Sequence, residues 1–373
     1  MKRLVIITGI IFILIIAGIT AINIKEADTD ITKQQTKVGF ILNGTIDDAS
    51  WGQSHYEAME ISKQELNLQI EYRQNVPMDE GCIYVMEALI EEGCEIIICN
   101  SFEYGTYALQ LAEEHPDIYF FHATGIEETE NLSTYFGRMY QIRYLCGMVA
   151  GLQTKTNEIG YVAAYDISEV NRGINAFTLG VRKVNPDAKV YVRFCNSWLD
   201  DELTRKAATT LFENHAIDVM SVHSDSLAAY EEADKRGIWI IGYNVDNSER
   251  YPAHFLTAGV WRWEKFYTQR IREVLQDKFV SQHYWEGIES GMIALSPFTE
   301  HVEQGIAARV EADQMRLEKG VFDVFYGPIY DNEGNLRVGE GESMKDENML
   351  NHFDWYVEGV IIDEEYDNCI LVF

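Results

Sequence analysis

The segment NGTIDDASWGQS, Asn43 to Ser54, sets Trp51 just after the carboxylates Asp47 and Asp48 and a short way downstream of the apolar run KVGFIL. An indole face stacks on flat rings, and ionised carboxylates only accept hydrogen bonds, which suits hydroxyl or ring N–H donors. Stacking of a heteroaromatic ring on such a face contributes about 1–3 kcal/mol. Packing in a core is the competing use of Trp51. A second aromatic face could come from Phe102 in NSFEY, Tyr165 in YDISE, Trp198 in CNSWLDD or Trp261 in GVWRW, each of which also suits ordinary core or hinge packing. Asp225 and Asp246 follow the apolar runs of VMSVHSDS and WIIGYNVDN. Helix capping is their competing use, and it is strongest for Asp225, because a helical pattern begins just after it. Asn244, beside Asp246, offers both a donor and an acceptor, as an amide reading the edge of a nitrogen heterocycle needs.

These residues sit at the ends of apolar runs, and the runs show what must position them. From Lys37 onward, short β-rich segments (KVGFIL, QIEYRQNV, CEIIICN, DIYFFHAT) alternate with helical-period segments such as SHYEAMEISKQEL and YGTYALQLAEEHP. That alternation predicts an α/β fold with largely parallel sheets. After a longer helix predicted around TYFGRMYQIRYLCGMVAGLQ the pattern restarts at EIGYVAAY and runs to WIIGYN. The prediction is therefore two Rossmann-like lobes joined by a hinge, 38–155 and 156–256, with 257–373 returning to complete both. Hairpins are predicted at YWEGIESGMIALSP and at GPIYDNEGNLRVG. Right-handed crossovers bring the loops after the strands to one edge of each sheet, so two facing edges would enclose a small-molecule cleft.

The rest of the chain narrows the function. With 60 acidic against 30 basic residues, the net charge of −30 disfavours nucleic acid as a partner. Met1-Lys2-Arg3 precedes an uncharged stretch, Leu4 to Ile24, long enough to span a bilayer, with Glu26, Asp28 and Asp30 beyond it. Residues 1–30 therefore read as a signal anchor, with signal cleavage near Ala21 as the alternative. Residues 31–37 read as a tether, and the remainder as extracytoplasmic. Six cysteines form no C-x-x-C pair and mostly lie in apolar runs, so they are expected as buried free thiols. A G-x-S-x-G elbow, an H-E-x-x-H helix, a phosphate loop and a dinucleotide G-x-G-x-x-G are all missing. A binding protein without cofactor or metal is expected rather than an enzyme.

The stretches DDASW, NSFEYG, STYFGRMYQIRYLCGMVAG, EVNRGINAFTLGVRKVNPDAKV, IGYNVD, VWRWEKFYTQRI, GPIYDNEGNLRVG and DWYVEGV occur in the order of a known family. The chain resembles the basic membrane protein family of ABC-importer substrate-binding proteins, with a type I periplasmic-binding-protein fold, and within it the purine-binding branch. The resemblance implies a purine base or nucleoside held between aromatic faces by Asp and Asn side chains, and a permease as partner. By position it implicates Asp48, Trp51, Phe102, Asn175, Trp198, Asp225, Asn244 and Asp246. Two departures stand out: WGQSHY puts Tyr56 after His55 where that branch has an HD-like pair, and no cysteine precedes Cys82, which excludes lipid attachment at the usual place. A sensor of the same fold and ligand, and a nucleoside-acting enzyme, are the rival functions.

Overall fold

The computed structural model describes residues 35–363. The Leu4–Ile24 stretch and Cys369 lie outside the described residues. Among those described, no helix is long and apolar enough to cross a membrane.

The strands are β1 (Lys37–Ile41), β2 (Gln69–Arg73), β3 (Ile96–Cys99), β4 (Tyr119–Ala123), β5 (Leu132–Gly137), β6 (Glu158–Ala163), β7 (Lys189–Phe194), β8 (Val219–His223), β9 (Trp239–Asn244), β10 (Phe255–Trp261), β11 (His283–Glu286), β12 (Ile293–Leu295), β13 (Ile329–Tyr330), β14 (Leu336–Val338) and β15 (Val360–Ile362). The helices are α1 (Trp51–Leu66), α2 (Gly81–Glu91), α3 (Gly105–Glu114), α4 (Tyr140–Gln153), α5 (Ser168–Val184), α6 (Asp201–Asn214), α7 (Ala228–Lys235), α8 (Glu264–Leu275), α9 (Gln304–Glu318) and α10 (Asp346–Asn351).

Two sheets organise them, with strand orders β11-β5-β4-β3-β1-β2 and β12-β10-β9-β8-β6-β7-β15. Every pairing in these sheets is parallel except β10 with β12. The fold is thus α/β with parallel sheets in two lobes, as the alternation predicted. The chain changes sheet three times, between β5 and β6, between β10 and β11, and between β11 and β12. In each lobe the strand order reverses beside β1 or β6, which marks the edge where a ligand crevice belongs.

Local sequence explains much of this. The inner strands are buried on both faces and mostly apolar, as strands covered by helices on both sides are. Helix α6 begins at Asp200, whose carboxylate accepts from the Leu203 N–H and satisfies one orphan donor. Helices α4 and α5 cross in backbone contact. A Cβ at Gly147 would sit 1.9 Å from the Phe177 carbonyl oxygen, and one at Gly180 would sit 1.9 Å from that of Tyr144. Alanine at either position would drive the helices apart.

Two elements differ from expectation. Residues 134–137, predicted as the start of a long helix, are strand β5, buried along its whole length. A strand buried along both faces, here LSTYFG, lacks the apolar/polar alternation that distinguishes a half-exposed strand, so its period does not separate it from helix. The YWEGIESGMIALSP segment is no hairpin: β11 pairs with β5 in one sheet and β12 with β10 in the other. The predicted hairpin at GPIYDNEGNLRVG is present as β13–β14, where Asp331 accepts from the backbone N–H groups of Glu333 and Asn335. The five described cysteines are free and buried. Burial pushes the Cys82 and Cys94 thiols up to about 11 and that of Cys146 up to about 12, so all three are protonated at neutral pH.

Candidate functional site between the lobes

The loops after β1, β3 and β4 in one lobe face those after β6, β7 and β8 in the other, and a cavity of about 370 Å³ lies between them. Four of the ten residues singled out from sequence line it: Trp51, Phe102, Trp198 and Asp225.

The loop after β1 folds back under the start of α1, which aims Trp51. Asp48 accepts from the N–H groups of Ser50, Gly52 and Gln53 and so caps the helix. Burial raises its pKa, and those same bonds oppose the rise. Gly52 permits the fold-back, because a Cβ there would lie 2.0 Å from the Thr45 carbonyl oxygen. Trp51 is then fixed by a bond from its Nε1 to the Asn100 carbonyl at 2.9 Å and by edge-to-face contacts with His55, Trp261 and Trp263. Behind it, Trp261 stacks on Trp263 at 4.1 Å, and Trp263 on His55 at 4.6 Å. Such support holds the indole in one orientation before any ligand arrives. Phe102, at 61 % exposure, stands on the same side of the cavity, on the loop after β3.

Across the cavity, Trp198 packs against Tyr165 at 5.7 Å, edge to face, which places Tyr165 behind the wall. Asp225 is bound into the same wall by its N–H, which donates to the Trp198 carbonyl. Its carboxylate accepts from Asn244 Nδ2 at 2.8 Å. Burial, reinforced by the charge of Asp48, holds the Asp225 carboxyl well above the usual carboxylate range.

The other candidates have different surroundings. Asn244, fully buried, accepts from Trp261 Nε1 and donates to Asp225 and to Ser50 Oγ of the opposite lobe. With Asn247, whose Nδ2 donates to the Ala49 carbonyl, it ties the lobes together. Asp246 is exposed, accepts from the Ser248 N–H, and lines, with Trp261, a separate groove of about 840 Å³. Asn175 lies on α5, where its amide brackets the Trp355 carbonyl and the Val357 N–H.

Sequence reasoning passed over several lining residues. Asn100, fully buried, accepts from the Asn43 N–H through Oδ1, while its Nδ2 has no partner among the described residues. Glu169 and Arg172, on one face of the first turns of α5, also line the cavity, with Glu169 held by His223 Nε2 at 3.1 Å. The His223 contact, with Arg172 and Arg143 nearby, lowers the Glu169 pKa against the opposing effect of burial. Arg172 donates to the Met349 carbonyl and lies over the Trp285 ring. The i, i+3 spacing of Glu169 and Arg172 at a helix start after β6 was the available signal. Together the wall offers the aromatic side chains of Trp51, Phe102, Phe136, Trp198 and Tyr243, carboxyl and amide groups, and one guanidinium. It is suited to holding a flat polar molecule.

Comparison with known proteins gives the family. Residues 35–321 match the family model described as ABC transporter substrate-binding protein PnrA-like. A purine-binding protein of Brucella abortus is 32% identical over 330 residues, covering 88% of this chain and 93% of that one. A Haloferax volcanii protein, provisionally named an ABC transporter glucose-binding protein, is 33% identical over 329 residues, covering 88% of this chain and 81% of its own. Among solved structures, an ABC transporter solute-binding protein from Conexibacter woesei aligns with a TM-score of 0.66 at 20% identity, over 77% of this chain and 98% of its own. A transcriptional activator of the comK gene from Bacillus halodurans aligns with a TM-score of 0.69 at 18% identity, over 77% and 99%. These structures share the fold. Two lobes, a cleft at the strand ends and a match over most of the chain lead to one conclusion: the protein belongs to the PnrA-like family of ABC transporter substrate-binding proteins.

Proposed function

We propose that this protein captures a purine base or nucleoside outside the cytoplasm and presents it to the permease of an ABC importer. The observation that carries the reading is the composition of the interlobe cavity, with Trp51 and Phe102 on one lobe facing Trp198 and Asp225 on the other. A planar ring between aromatic faces gains stacking energy from both, whereas an open form offers only one. Ligand therefore favours the closed arrangement. Asp225 and the Asn100 Nδ2, which has no hydrogen-bond partner among the described residues, supply the directional contacts that a heterocycle edge requires. The name of the Brucella relative supports a purine; the Haloferax name points to glucose, whose C–H faces also pack on aromatic rings.

A thermal-shift series on the purified full chain, unfolded and refolded to strip carried-over ligand, separates these. Adenine, guanine, hypoxanthine and xanthine, their nucleosides, and glucose are each supplied. A ligand at a hundredfold its Kd adds about 2.7 kcal/mol, a plain rise in Tm. The expected result is a shift with at least one purine and its loss in Asp225→Ala. A shift with glucose alone replaces the ligand assignment, and no shift with any of them removes it.

The Leu4–Ile24 stretch serves in this reading as an uncleaved anchor. Cell membranes washed in alkaline carbonate are expected to retain the full-length chain; recovery of a shortened, soluble form would establish signal cleavage instead.

A further inference from the structure

The cavity has two lining residues from the last part of the chain, Leu350 and Asn351. They lie at the end of α10, in a strap that continues through Val357 into β15. The strap lies beyond residues 35–321, the part matched by the family model. Both lobes hold it. Asp346 forms a two-pronged ion pair with Arg138, at 2.7 and 2.6 Å, and Arg138 is fixed to β11 of the first lobe through the Trp285 carbonyl. On the second lobe, Arg172 donates to the Met349 carbonyl at 2.6 Å, Asn171 to that of Phe353, and Ser168 Oγ accepts from the Phe353 N–H. Met349 and Phe353 are buried beneath, with 1 % and 0 % exposure. Leu350 is half-buried and Asn351 exposed, so neither is a core anchor. Their position at the cavity is the consequence of anchors on either side of them.

We propose that this strap, through Leu350 and Asn351, is the wall that sets how long a ligand the cleft accepts. The inference rests on the cleft being the ligand site. The walls built by the two lobes are strand-end loops and the start of α5, which determine how a flat ring is gripped. The strap is a separate piece laid against Arg172, and a change in its two lining side chains alters room without altering the grip. Polar anchors at Asp346, Met349 and Phe353 keep its backbone in place when those side chains are shortened. Relatives that share the aromatic walls but differ here would then differ in the size of ligand they take.

The test compares the wild-type full chain with Leu350→Ala, Asn351→Ala and the double variant. Titration calorimetry measures adenine against adenosine, hypoxanthine against inosine, and glucose against maltose. The expected result is a shift of about tenfold or more in the double variant toward the longer member of whichever pair binds, the scale by which a small change in pocket volume discriminates ligands. An unchanged ratio overturns the proposal while leaving the purine reading intact. A shift confined to the sugar pair sustains the strap and overturns the purine reading. In parallel, ligand-stripped protein is incubated with a bacterial metabolite extract and the retained masses are read by native mass spectrometry. The variants are expected to retain heavier ligands than the wild type; the same masses in both, or none in either, overturn the proposal. Each melting temperature is checked, and Asn351→Ala, at an exposed position, tests the idea should Leu350→Ala destabilise the fold.

Discussion

Replacing Trp51 with alanine weakens ligand binding by roughly 10- to 100-fold, the loss of one base-stacking face worth about 1–3 kcal/mol. The indole is already paid for in the free protein: its Nε1 is bonded to the Asn100 carbonyl and three rings clamp it edge-on. Little freedom remains to be lost when a ligand stacks on it, so most of the contact appears as affinity. The same construction predicts that Trp51→Phe recovers part of the binding, since a smaller face remains, but not all, because the tie to Asn100 is gone. Asp246→Ala provides the contrast. Its carboxylate is exposed, engages the Ser248 N–H and faces the other groove, so affinity should change less than about twofold, the range of ordinary surface substitutions. Calorimetric titration with the ligand found by thermal shift reads both. Equal losses in the two variants would move the site to the groove beside Trp261.

The contrast shows what the sequence could and could not convey. Apolar runs alternating with helical segments were enough to place the strand ends, and the loops at those ends border the interlobe cavity. Trp51, Phe102, Trp198 and Asp225 meet at the cavity for that reason. What a linear reading does not resolve is which strand-end side chain is consumed by the protein itself. Asp48 spends its oxygens on three backbone donors of α1, and Asn244 divides its amide among Trp261, Asp225 and Ser50. In spacing and type they look no different from Asp225. Helix α5 makes the same point by rotation. The motif EVNRGINAF drew attention to Asn175, yet Glu169 and Arg172 face the cavity while Asn171 and Asn175 turn to the strap. Leu350 carried no signal at all, because its place depends on ion pairs and carbonyl contacts to residues some 180–210 positions earlier.

Stability should fall as the pH is lowered from 7 to 5, at about 1–3 kcal/mol per pH unit, and the cause is histidine. His55, His122 and His223 are buried, and burial lowers the pKa of each; His122 is held down at about 4 although its Nε2–H donates to the Ser101 carbonyl. In the unfolded chain all three titrate near 6.5. Below that pH the unfolded state takes up protons that the folded state refuses, and each histidine removes up to about 1.4 kcal/mol per pH unit. Their contribution is complete above 6.5 and is lost as the pH falls toward the folded values. Asp225 and Asp48 act in the opposite sense. Their folded pKa values are raised, so the folded state binds protons more readily than the unfolded state and offsets part of the loss. Three buried histidines, joined by the half-buried His283 whose pKa burial also lowers, against two carboxyls, one strongly and one mildly raised, leave a positive slope of stability with pH. Urea unfolding at pH 7, 6 and 5 measures it, and a flat or inverted profile would refute the assignment. His122→Gln keeps an amide donor near the Ser101 carbonyl but cannot titrate, so it should flatten the slope by close to one proton. Because Ser101 and its neighbours Asn100 and Phe102 line the cavity, the same variant asks whether acid loosens the ligand wall before it unfolds the lobe. If it does, wild-type affinity will drop as the pH falls from 5 toward 4, where the folded His122 takes up its proton, while that of His122→Gln holds.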